Sequence, residues 1–123
     1  MTWETLDPGT GGAGSPYDSY LSQGYFSVRY RPFSAVRFNR VTSLTLHLES
    51  YGASGASPLK VALWDQQEGV WVEVNNVSWG DTLIQAPGRF IGGDGHIDAR
   101  VESTGPQSSV SIESVDFTMV VER

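Results

Sequence analysis

The sequence predicts an all-β chain: an antiparallel β-sandwich of jelly-roll type behind an extended Gly-rich N-terminal arm. Three observations carry this. Beyond residue 24 apolar and polar residues alternate with period two, as in Leu44, Leu46 and Leu48 against Thr45, His47 and Glu49. Strand-favouring residues dominate, with 13 Val, 4 Ile, 8 Thr and 14 aromatics in 123 residues, and 14 Gly and 6 Pro supply turns. No segment offers a 3.6-residue period with helix caps.

Residues 1–24 form the expected arm. Asp7 to Pro16 is a Gly, Pro, Ser and Thr segment with almost nothing to bury. Trp3 and Leu6 lie at its outer end and Tyr17 and Tyr20 at its inner end, apolar tips suited to subunit contact. Residues 25–123 form the expected sandwich. Phe26, Val28 and Tyr30 alternate with Ser27, Arg29 and Arg31, and Pro32 limits the strand. Val41 to Ser50 reads as a half-buried strand. Leu59–Trp64 and Val70–Val74 then flank a hairpin turn. If Asp65 pairs with Val70, Leu63 faces Val72, and Trp64 faces Trp71 on the opposite side. Thr82–Ala86 is a short strand ended by Pro87. His96–Glu102 alternates, Val110 and Ile112 begin another strand, and Val115 to Val121 close the chain.

Composition excludes several functions. With no cysteine there is no disulfide and no thiol chemistry. No apolar run approaches the roughly 20 residues of a membrane-spanning helix. Met1-Thr2-Trp3-Glu4 has neither the basic nor the apolar region of a signal peptide. A net charge of −6 argues against nucleic acid as a partner.

No catalytic residue stands out. His47 and His96 lie on polar strand faces, and no nucleophile elbow is present. Arg29, Arg31, Arg37 and Arg40 form a basic strip with aromatics between them, readable as surface pairing or as a subunit contact. Trp64 and Trp71, with Glu73 beside them, form a surface aromatic platform for a subunit contact or a glycan. Gly92-Gly93-Asp94-Gly95 reads as a turn that needs glycine at positive φ. Asp94 and Asp98 make it a weak candidate calcium loop, and no other metal or cofactor is expected.

Leu59–Asp65 with Gly69–Val74, then Gly95–Val101 and Val115–Glu122, resemble the strands of galactose-binding-like jelly-roll modules of bacterial extracellular proteins, over about residues 41–122. The resemblance implies a fold rather than a ligand, and no site residue carries over from it. The expected function is a non-enzymatic structural subunit. Its setting would be a homo-oligomer or larger particle, such as a phage virion (capsid decoration, tail or fibre). The alternative is a carbohydrate-binding jelly-roll module. The expected location is a virion or an extracellular assembly.

Overall fold

The computed structural model describes residues 2–7, 17–22, 25–34, 37–50, 55, 59–103 and 109–122. Nine strands run through them: β1 Thr2–Asp7, β2 Tyr17–Ser22, β3 Tyr25–Arg31, β4 Val41–Glu49, β5 Leu59–Asp65, β6 Val70–Glu73, β7 Gly80–Leu83, β8 Ile97–Ser103 and β9 Ser109–Val121. They form two antiparallel sheets, one ordered β1-β3-β8-β5-β6 and the other β2-β9-β4-β7.

Alternation decides which side each strand buries. Phe26, Val28 and Tyr30 of β3, Val61 and Leu63 of β5, and Ile97, Ala99 and Val101 of β8 supply the buried face of the five-stranded sheet. Leu44, Leu46 and Leu48 of β4 and Val115 and Phe117 of β9 supply that of the four-stranded sheet. Each such Val, Leu, Ile or Phe side chain contributes about 1.5–3 kcal/mol when taken from water. Tyr30 ties the two layers together. Its ring meets Phe117 edge-on at 5.0 Å, and its hydroxyl donates to the Val115 carbonyl at 2.8 Å, so a buried polar group is satisfied.

The β5–β6 hairpin has the expected register: Asp65 pairs with Val70, Leu63 with Val72, Trp64 with Trp71. Gly69 closes its turn at φ +69° and donates to the Asp65 carbonyl. The buried Asp65 carboxylate holds the turn from below. It accepts from the Gln67 and Glu68 amides at 2.8 and 3.0 Å and from Arg89 Nε at 2.7 Å. These bonds, led by the Glu68 amide, keep Asp65 ionised below the usual carboxylate range.

Three sequence expectations change. The N-terminal segment does not stand apart as a 24-residue arm: β1 pairs with β3 and β2 with β9, so each sheet takes one strand from it. The backbone hydrogen bonds of two strands, and the β-prone residues Thr2, Trp3, Thr5, Tyr17 and Tyr20, outweigh the glycines between them. Residues 8–16, the Gly-rich centre, lie outside the described residues. β7 ends at Leu83 rather than Ala86, because Ala86 turns left-handed at φ +49° and Pro87 opens a 3-10 turn through Phe90. Finally, residues 110–121 are one strand, not two. β9 pairs first with β2 and then, from Ser114 onward, with β4.

Candidate functional site

The outer face of the five-stranded sheet gathers the most distinctive chemistry. Alternation sends Tyr25, Ser27, Arg29 and Arg31 of β3 outward, together with Asp98 and Arg100 of β8. Trp64 comes from β5, and Trp71 and Glu73 from β6. Non-local pairing then brings them together. The Arg100 guanidinium sits between two rings, 4.7 Å from the Tyr25 centroid and 4.6 Å from the Trp71 centroid. Its Nε donates to Ser27 Oγ at 3.1 Å, with Ser27 buried beneath it. Trp71 meets Trp64 edge-on, centroids 5.3 Å apart at 72°. The result is a continuous layer, Tyr25–Arg100–Trp71–Trp64, lying across four strands.

Arg29 donates from Nε and Nη2 to the two Asp98 oxygens at 2.7 and 3.0 Å. This paired geometry gives both oxygens of the buried Asp98 a partner, and the hydrogen bond to it raises the Arg29 pKa. Arg31 donates to Asp94 and, at 3.2 Å, to Glu4 of β1. Asp94 also accepts from the His96 ring and from the His96 amide. The His96 contacts first, then Arg31, hold the Asp94 carboxyl below its usual range. A Cβ on Gly92 would fall 2.0 Å from the His96 ring, so a larger residue there would displace that ring.

The expected site residues therefore divide. Trp64 and Trp71 come together as the hairpin register requires, both half-buried, with Glu73 exposed on the same face. They are not a bare platform, since Arg100 covers part of Trp71. The basic strip is split. Arg29 and Arg31 belong to β3 and are paired with carboxylates, whereas the exposed Arg37 and Arg40 precede β4 of the other sheet. Asp94 and Asp98 do not converge on a shared cation position, because each is engaged by a different arginine. Among the described residues no group of three or more His, Asp or Glu side chains is arranged to hold a metal ion. Of the arm residues, Leu6 is 42% exposed, and the side chains of Trp3, Tyr17 and Tyr20 lie outside the described ones.

Sequence reasoning missed Tyr25 and Arg100. The signal was present, since Tyr25 shares the parity of Arg29, and Arg100 that of Asp98. Which ring would flank which cation depended on strand order.

The outer face of the four-stranded sheet has different chemistry. His47 of β4 contacts Asp81 of β7 through Nδ1 and Glu49 through Nε2, the latter at 2.7 Å. Asp116 of β9 stands opposite it in register. The Asp81 contact first, then Glu49, raises the His47 pKa. At the open side of the sandwich, β6 and β7 border a groove of about 470 Å³ lined by Val72, Asn75, Asn76 and Phe90 among others. Neither Trp64 nor Trp71 reaches it.

Fold and site together define a small two-sheet β-sandwich with a cation–aromatic outer face. The chain belongs to the family described as domain of unknown function (DUF8815), whose model matches residues 3–120. Neither the curated proteins nor the solved structures hold a match to it. No helix among the described residues is long and apolar enough to cross a membrane.

Proposed function

We propose that this chain is a non-enzymatic structural subunit that docks through the outer face of its five-stranded sheet. The observation that carries the reading is the gathering of Arg, Tyr and Trp there. These residue types dominate contact energies between proteins. They are also held in place before any partner arrives, by ring contacts, a bidentate ion pair and the Ser27 hydrogen bond. A surface whose side chains are already ordered loses less rotamer freedom on docking.

The strand order supports a jelly-roll reading of the fold. β2-β9-β4-β7 and β3-β8-β5-β6 make two four-stranded sheets, and β1 is added beside β3. The setting we favour is a larger particle, such as a phage virion, with the chain as a capsid decoration, tail or fibre component. The contact surface is the sheet face and not an arm, because β1 and β2 are engaged within their own chain.

Hydroxyl-radical footprinting tests the reading. Trp64 and Trp71 should be protected in the native assembly and oxidised in the dissociated chain. Equal oxidation in both states overturns it. A carbohydrate-binding role is favoured by one feature, the two half-buried indoles beside exposed Glu73. A glycan-array signal that Trp64→Ala abolishes in a folded protein would establish that alternative.

A further inference from the structure

We infer that the partner on this face is a second copy of the chain, seated face to face about a two-fold axis along β8. The inference rests on the assembly reading above and names its partner. β8 is the central strand of the five, with β1 and β3 on one side and β5 and β6 on the other. A two-fold axis along β8 exchanges those halves and keeps each residue at its own level along the strands.

The register shows what then meets. Arg29 pairs with Asp98, and Leu63 with Ala99, which puts Trp64 at the level of Asp98 and Arg29. Arg29 and Trp64 stand one strand from the axis on opposite sides. The symmetry therefore lays each Arg29 over the Trp64 of the other copy. One row further along, Tyr25 pairs with Glu102 and Glu102 with Lys60, so Tyr25 lies over Lys60 in the same way. Between these rows Ser27 faces Ala62, the two flanking the axial Arg100, whose guanidinium lies over the sheet between Tyr25 and Trp71. The face thus carries cations and aromatic rings in positions that match under one symmetry operation. Arg100 already makes this type of contact with Trp71 inside the chain. A second copy supplies both matches twice.

Charge favours the same partner. The described ionic side chains of this face come to a net of −1, with Arg29, Arg31, Lys60 and Arg100 against Glu4, Glu73, Asp94, Asp98 and Glu102, while the whole chain carries −6. Two copies meet least repulsion here. Asp98, Arg100 and Glu102 lie on the axis, each facing its own copy; Arg29 binds the first, the Tyr25 and Trp71 rings flank the second, and Lys60 neighbours the third. Five strands about 4.8 Å apart, from about 13 Å long for β6 to about 23 Å for β3, β5 and β8, present roughly 490 Å² in projection. Side-chain relief brings that toward the ~800 Å² per partner of a standard interface.

Sedimentation equilibrium and light scattering over about 1 to 500 µM test this, a range suited to a micromolar Kd. The wild-type chain should dimerise. Lys60→Glu, at an exposed side chain away from the core, and Trp64→Ala should each weaken the dimer at least tenfold, with folding checked by circular dichroism. A chain that stays monomeric, or a dimer that neither variant weakens, overturns the proposal. The footprinting experiment separates the two readings. A monomeric chain with protected tryptophans in its native assembly overturns the second copy alone. A monomeric chain with unprotected tryptophans overturns the docking face as well.

Discussion

The two outer faces of the sandwich follow the same alternating pattern and are held by different physics. On the five-stranded sheet, guanidinium groups lock to carboxylates and aromatic rings across neighbouring strands. On the four-stranded sheet, Thr45, Thr118 and Asp116 share the surface with one histidine set between two carboxylates. Arginine is charged at every physiological pH, whereas histidine is not. The Arg29–Asp98 pair and the Arg100 ring contacts therefore persist over a wide pH range. The four-stranded face has a contact that titrates.

The comparison breaks most severely in the core that both faces share. Leu46→Ala, at a fully buried position of β4, should cost about 2–5 kcal/mol in denaturant unfolding and weaken both faces together. Selective loss of one face would show that the sheets unfold separately. Arg29→Ala acts on the five-stranded face alone. It strands the buried Asp98 and should cost about 1–3 kcal/mol, read as a lower urea midpoint. Arg29→Lys should recover only part of that, because an ammonium lacks the two-pronged geometry. Tyr30→Phe removes the hydroxyl that joins the layers and leaves the Val115 carbonyl short of a partner. The expected cost is about 1 kcal/mol with the fold intact.

The smallest effect sharpens the contrast through pH. The folded-state pKa of His47 is raised above the ordinary imidazole value of 6.5 by Asp81 and Glu49. Folding thus favours the protonated ring. Its stabilisation is full below 6.5 and fades as pH rises through the folded value. The site is exposed, so the effect is modest. An NMR titration should place the His47 pKa above the ordinary value, and Asp81→Asn should lower it. The stability of His47→Gln should lack this pH dependence, with the Arg29–Asp98 pair unaffected over the same range.

Some of this was legible residue by residue. The β5–β6 hairpin could be aligned because Leu63 with Val72 and Trp64 with Trp71 sort apolar aliphatics onto one side. Residues 1–24 misled, because the glycines between Thr10 and Gly14 hid two short strands whose partners begin at Tyr25 and Ser109. Of the two His47 contacts, Glu49 was readable two residues along the same strand face. Asp81 was not, since it arrives on β7.

By itself, the sequence determined the all-β class, most strand positions beyond residue 24, the inward side of those strands and the absence of thiol chemistry. These follow from period-two patterning and composition, which are local properties. Tertiary structure decided what alternation cannot encode, namely which strand lies beside which. Arg29 reaches Asp98 across 69 positions and Tyr30 reaches Val115 across 85. Strand order placed Arg100 between Tyr25 and Trp71. It also put β8 at the centre, with the Arg29 half of the face on one side and the Trp64 half on the other. Pairing among strands distant in sequence is set by the fit of the whole core, so no single segment carries it.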